Sequence, residues 1–410
     1  MKSPLAGCLC AALLTVGYAG GQDDFAAIRN EIQRLGRLTS APAAYPAKIS
    51  SNPPEPQALF FEGLPYQGKT TRVFARYRAP ADRNSKVPGI VLVHGGGGTA
   101  FAEWVRKWND HGFAAISIAV EGQTDEPAPS VEKGRLHWKR HAWAGPARQG
   151  IYSDSSAPLA DQWIYHAVAD VILAHSLLRS FPEVDAGKVG VMGISWGSVI
   201  AATVAGIDHR LAFAILAYGC GAMGDVENHW GKALAENRLY RQVWDPVLWL
   251  PNAQMPLFWF TWLRDPHFPL SAQSASYRAA PGPRMVAVLP DVGHSHPAAW
   301  NQPDSYAFAD AIVRRGRPWL RQIALRREGP QIAAEFSTDK PVDAAALWSA
   351  TGTGYTGRRR WTATPADLER MEGGVRASAL LPPGSTAWFF NLRAGALTAS
   401  SDFQEEYREP

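Results

Sequence analysis

The stretch Gly193-Ile194-Ser195-Trp196-Gly197 follows the apolar run Val189-Gly190-Val191-Met192 and precedes Val199-Ile200-Ala201-Ala202. Strand, sharp turn, helix is the context of a G-x-S-x-G nucleophile elbow. Such a turn strains the backbone at Ser195 and lifts its hydroxyl clear of the sheet. Gly193 and Gly197 are required because side chains there collide with the neighbouring strand and helix. The helix that begins at Trp196 aims backbone N–H groups at the same point, which suits a developing oxyanion. Outside such a context the pentapeptide marks only a strand-to-helix turn with a capping serine.

On either side the pattern alternates strand and helix from Gly89 to about Gly316. Gly89-Ile90-Val91-Leu92-Val93 is a continuous apolar run, as in a buried parallel strand. Residues 101–111 read as a helix and 113–120 as a strand. Asp161 to Phe181 is a long helix, with Trp163, Ile164, Ala167, Val168, Val171, Ile172 and Leu178 at helical spacing. Strand-like runs follow at 211–216, 256–261 and 284–289, and a helix at 304–314. The reading is α/β: a mostly parallel sheet with flanking helices over residues 58–327. A hairpin around Gln67-Gly68 opens it. Residues 20–57 supply a short amphipathic helix (24–38) and a Pro- and Ala-rich linker. After residue 331 short strand-like runs follow one another without helices, so 331–410 reads as a small all-β, sandwich-like domain outside the chemistry.

A serine hydroxyl needs a base. The loop after the last strand, Pro290-Asp291-Val292-Gly293-His294-Ser295-His296, offers two histidines. His294 is preferred, because Gly293 permits the turn that aims its ring back at Ser195. His296 is then a supporting or substrate-side residue. The carboxylate that orients the base is Asp265, just after the strand Pro256–Thr261, with Asp245 and Asp291 as rivals. The oxyanion needs two donors. One is Trp196 N–H, and the other is Gly96 or Gly97 N–H in His94-Gly95-Gly96-Gly97-Gly98. No Lys-Ser/Thr follows these glycines, so they are not a P-loop. Trp138 and Trp143 lie in the irregular segment 121–160, which follows a strand and forms a pocket wall. There they stack on a sugar ring, with Arg135, Lys139 and Arg140 beside them. His137 and His141 have ligand spacing but no third ligand, so no metal and no cofactor is expected.

The chain has 410 residues, 46% hydrophobic and 19% charged, with a net charge of +4. That charge is too mild for a nucleic-acid partner, and Arg358-Arg359-Arg360, the densest basic run, reads as a solvated strand edge. Residues 1–19 read as a signal peptide: Lys2, an apolar stretch Leu5 to Val16, then Gly17-Tyr18-Ala19. A secreted or periplasmic location is expected, with lipid anchoring at Cys8 the lesser alternative and no membrane span. Beyond the leader only Cys220 remains, read as a small buried residue.

With these residues in hand, the chain resembles the α/β-hydrolase superfamily, and within it the secreted acetyl xylan esterases and dienelactone-hydrolase-like esterases. The resemblance rests on the 91–101 glycine segment, Asp161-Gln162-Trp163 with His166-Ala167-Val168-Ala169-Asp170, the elbow at 193–197, and Gly293-His294-Ser295-His296. It covers residues 58–316, and the order Ser195, Asp265, His294 matches the superfamily's. The resemblance implies a serine carboxylic-ester hydrolase that works through an acyl-enzyme and removes acetyl groups from plant polysaccharide. Its partner is then a small-molecule or polysaccharide ester, and the oligomeric state stays open. Two alternatives remain: a prolyl-oligopeptidase-type serine peptidase, and a non-catalytic carbohydrate-binding protein on the same fold.

Overall fold

The computed structural model describes residues 22–47, 55–81, 85–128 and 137–406. The expected leader with Cys8, and Arg135, lie outside them. The chain begins with α1 (Gln22–Arg34) and β1 (Ala44–Pro46), which pairs antiparallel with β2 (Gln57–Glu62). The expected linker at 40–57 therefore carries an edge strand. β3 (Arg72–Arg78) completes the opening hairpin.

The α/β region follows: β4 (Val87–Val93), α2 (Ala102–Asp110), β5 (Ala114–Ile118), the ribbon β6 (Gln123–Pro127) and β7 (Trp138–Arg140), α3 (Trp163–Ser180), β8 (Val184–Ile194), α4 (Trp196–Ala205) and β9 (Ala214–Ala217). α5 (His229–Leu234), β10 (Leu257–Trp262), α6 (Leu270–Ala279), β11 (Arg284–Leu289), α7 (His296–Trp300) and α8 (Pro303–Arg315) close it. The sheet order is β1-β2-β3-β5-β4-β8-β9-β10-β11, and β5 through β11 in that order run parallel. Ile90 to Val93 are fully buried. A strand buried along its whole length has both faces covered, which is why it reads as a continuous apolar run. α3 is buried nearly all round, because the N-terminal segment covers its outer side. Ser176 Oγ donates to Leu38 O at 2.6 Å, and His175 pairs with buried Asp208 at 2.7 Å.

Val93, Gly193, Leu216, Trp259 and Val286 lie in one row across the parallel strands. The loops that follow them carry the glycine run, Ser195, Tyr218, Asp265 and His294. They emerge along a single edge of the sheet, where open α/β sheets bind ligands.

The C-terminal strands form two antiparallel groups. β12 (Leu320–Glu328), β13 (Gln331–Thr338), β16 (Asp367–Met371) and β17 (Gly374–Leu380) make one sheet in the order β12-β13-β17-β16. β14 (Ala344–Thr351), β15 (Trp361–Pro365), β18 (Ser385–Ala394), β19 (Leu397–Ser400) and β20 (Gln404–Glu405) make the other. This second group is continuous with the central sheet through β19, paired with β11 at Val286 and Ser400. A parallel sheet ending at β11 would leave unpaired backbone groups. Here Val288 N–H donates to Ser400 Oγ at 2.8 Å, and Asn391 Nδ2 donates to Val288 O at 2.9 Å. The expected boundary at 327/331 cuts the β12–β13 hairpin, in which Glu328 faces Gln331. β12 escapes the sequence reading because much of it is exposed and its sequence carries no alternating apolar pattern. Arg359 is not a solvated edge residue either. It is buried, donates to Gly354 O at 3.1 and 2.7 Å, and pairs with Glu405.

Candidate active site

Ser195 stands between β8 and α4 at φ 56°, ψ −116°. Positive φ at a non-glycine residue is strained and survives only where the surroundings hold it. Here Ser195 N–H donates to Ala217 O at 2.8 Å, and Ser198 Oγ donates to Gly193 O and Ala217 O at 2.7 and 2.8 Å. A Cβ on Gly193 would lie 2.2 Å from Gly197 O, and one on Gly197 2.0 Å from Val93 O. The collisions read from the pentapeptide are therefore real, and any larger residue pushes α4 off the sheet.

His294 Nε2 lies 3.0 Å from Ser195 Oγ, and its Nδ1 lies 2.7 Å from Asp265 Oδ2. The tautomer that serves both contacts carries its proton on Nδ1. The other oxygen of Asp265 is held by its own turn, accepting from His267 N–H at 2.8 Å and Phe268 N–H at 3.1 Å. Asp265 is 1% exposed, so its carboxylate has fixed partners and no competing water. The rivals lie elsewhere. Asp245 accepts from Ala222 and Val247 N–H, and Asp291 is exposed. The His294 ring is enclosed by Tyr218, His267 and Phe268, at centroid distances of 4.8, 4.8 and 6.1 Å.

The glycine loop is pinned by His94 and Gln123, which sequence reasoning did not assign, and by Trp138 and His296, which it placed on the substrate side. His94 Nδ1 lies 2.7 Å from Gly95 O, and its Nε2 accepts from Val120 N–H at 3.1 Å. Burial lowers the His94 pKa, which favours the neutral ring these contacts need. Gln123 Nε2 donates to Gly98 O at 2.8 Å, Trp138 Nε1 to Gly97 O at 3.0 Å, and Gly98 N–H to Gly95 O at 3.0 Å. His296 Nε2 accepts from Gly95 N–H at 2.9 Å. Burial lowers the His296 pKa to about 3, so this ring also stays neutral. His296 therefore sits behind the loop, as a supporting residue. The N–H groups of Gly96, Gly97 and Trp196 have no acceptor among the described residues, and the Gly96 backbone lies against the Trp196 ring.

Trp196, Trp230 and Phe268 form a row from the elbow toward His294, with successive centroids 4.5 and 4.9 Å apart. All three are buried. Arg148, which no motif marks, lies 5.4 Å over the Trp196 ring and pairs with Glu121 at 2.9 Å. Trp138 and Trp143 do not share one wall, contrary to expectation. Trp138 is tied to Gly97. Trp143, 43% exposed, packs against Phe60 and Arg72 in a separate cleft of about 590 Å³ that also holds Lys139 and His141. β7 joins the two places, because a strand sends successive side chains to opposite faces. Arg140 is committed internally, to Glu121 O and Gly145 O.

This arrangement presents a serine oxygen, a base with a fixed carboxylate, and N–H donors without an acceptor among the described residues on the glycine loop and at the start of α4. It can carry out acyl transfer. A model of the acetyl xylan esterase family matches residues 22–221, which include the glycine loop and Ser195 but stop short of Asp265 and His294. An acetyl xylan esterase from Paenibacillus sp. R4 is similar in structure, with a TM-score of 0.55 and 20% identity over 70% of this chain and 94% of that one. Acetyl xylan esterase 1 from Thermoanaerobacterium sp. JW/SL YS485 gives a TM-score of 0.53 and 20% identity over 67% and 89%. Among curated proteins none matches by sequence.

Proposed function

We propose that the chain, which shares its fold with two acetyl xylan esterases and matches that family's model over residues 22–221, is an α/β-hydrolase and a serine carboxylic-ester hydrolase acting on acetylated polysaccharide. The observation that carries this reading is the unbroken line from Ser195 Oγ through His294 to Asp265, ending beside unpaired N–H groups. Ser195 Oγ attacks the ester carbonyl carbon as its proton passes to His294 Nε2. Asp265 stabilises the imidazolium through Nδ1. The tetrahedral oxyanion accepts from Trp196 N–H and from Gly96 or Gly97 N–H. Collapse breaks the bond to the alcohol, which leaves with the proton from His294. Water then gives a proton to His294 and attacks the acyl-enzyme, releasing the acid and restoring Ser195.

Two features support a short acyl group and a saccharide alcohol. The buried row Trp196, Trp230 and Phe268 fills space that a long acyl chain would need. In the separate cleft beyond β7, exposed Trp143 suits a sugar ring, since carbohydrate faces pack on aromatic rings through apolar contact. The expected leader adds an exported location to this reading, and cell fractionation tests it. No helix among the described residues is long and apolar enough to cross a membrane.

Ser195→Ala tests the mechanism on an aryl acetate. The expected residual turnover is below ~10⁻³ of wild type, since only donors and binding remain. Wild-type turnover in the variant would remove Ser195 from the chemistry. Failure of a fluorophosphonate to label wild-type Ser195 would favour a non-catalytic carbohydrate binder. Cleavage of peptides faster than acetyl esters would favour the peptidase.

A further inference from the structure

The turn that holds Asp265 has no secondary structure of its own between β10 and α6. Its backbone groups still find partners, and several come from the C-terminal strand region. The Tyr355 hydroxyl donates to the Asp265 carbonyl oxygen at 2.9 Å. Leu270 N–H, at the far end of the turn, donates to Thr356 Oγ1 at 2.8 Å. Gly357 backs onto the same carbonyl so closely that a Cβ there would lie 2.6 Å from it. Asn228 ties the third side. Its Nδ2 donates to His267 O at 2.7 Å and reaches Tyr355 Oη at 3.4 Å, while its Oδ1 caps α5.

The segment that makes these contacts is itself fixed. Arg359 donates to Gly354 O and pairs with Glu405, and Trp361 Nε1 donates to Thr356 O at 2.9 Å. Tyr355 is only 8% exposed. Burial and the nearby Asp265 carboxylate both raise its phenol pKa, which keeps the hydroxyl a donor.

We propose that residues 354–359 are a clamp on the acid turn, and that Tyr355 is a positioning residue whose hydroxyl sets where the Asp265 carboxylate meets His294. The C-terminal strands, expected to lie outside the chemistry, then supply part of its framework. The inference deepens the esterase reading and rests on it. The physical reason is that a carboxylate shifted by a fraction of an ångström orients its histidine less well, which slows the chemical steps more than it weakens binding.

The test uses the full chain and 4-nitrophenyl acetate, with Tyr355→Phe beside Ser195→Ala. Tyr355→Phe should fold and lower kcat by about tenfold, the scale of one lost hydrogen bond in a fixed site, with KM nearly unchanged. The low-field proton resonance of His294 Nδ1–H should shift or broaden, which a merely structural contact elsewhere would not cause. If Tyr355→Phe does not fold, Thr356→Val is read by the same two measurements. With Ser195→Ala inactive, a folded variant with wild-type kcat and an unmoved resonance overturns the clamp. With Ser195→Ala fully active, the esterase reading fails separately, and the resonance alone decides: moved, the clamp stands; unmoved, it falls.

Discussion

His294 and His296 are two residues apart and do different things because their surroundings differ. His294 lies between an oxygen nucleophile and a buried carboxylate, and His296 is turned toward the backbone of Gly95. His294→Ala should therefore match Ser195→Ala in severity. His296→Ala removes an acceptor from a loop whose neighbouring N–H groups face the developing oxyanion. It should cost ~10–100-fold in kcat on 4-nitrophenyl acetate, less than a whole oxyanion donor commonly costs, with little change in KM. Equal losses for the two variants, or a larger loss at His296, would reverse the assignment. The two histidines were both legible as candidates in the sequence. The turn at Gly293 favoured His294, and the contact with Ser195 is made by how the loop enters α7.

At the scale of elements, the β6–β7 ribbon links the glycine loop to the outer cleft. Trp138 Nε1 holds Gly97 O, whereas Trp143 meets Phe60 edge-to-face and carries the Arg72 guanidinium over its ring. Their substitutions should separate. Trp143→Ala should leave aryl acetate hydrolysis within ~twofold and weaken turnover of acetylated oligosaccharide by up to about thirtyfold, the worth of a ~2 kcal/mol stacking contact. Trp138→Ala should slow both substrates, since it frees the loop that binds the oxyanion. Comparing kcat/KM on the two substrates checks both, and equal losses at Trp143 would make it a folding residue only.

For the molecule as a whole, the C-terminal strands are joined to the α/β region along β11, at the acid turn and at α8. In the last contact Asp304, near the start of α8, accepts from Thr398 N–H at 2.7 Å. Burial raises the Asp304 pKa to about 7 against hydrogen bonds that lower it. Folding therefore favours its protonated form. The unfolded chain gives up that proton near pH 4 and the folded one near pH 7, so this contribution to stability is full at the acid end and is lost as pH rises through that window. The melting temperature of the wild type should fall relative to Asp304→Asn between pH 5 and pH 7.5, a range bracketing that midpoint. A constant difference across the window would mean that Asp304 titrates as an ordinary surface carboxylate.

The sequence by itself determined the sheet and its nucleophile. Short apolar runs bounded by turn signals and alternating with helical patterns read as strands covered on both faces, and no residue larger than glycine fits at 193 or 197 beside Ser195. Such local constraints act within one strand and the turn after it, so they are written in consecutive residues. Tertiary structure alone decided the rest. Asp265, already preferred over Asp245 and Asp291 for its place after β10, meets His294 only through the fold of its turn, and Trp143 lies in the turn beyond β7, away from Trp138. Tyr355 came to the acid turn across a sequence separation of 90 residues. No periodicity records a contact that far apart, since it depends on a remote set of strands closing the open edge of β11.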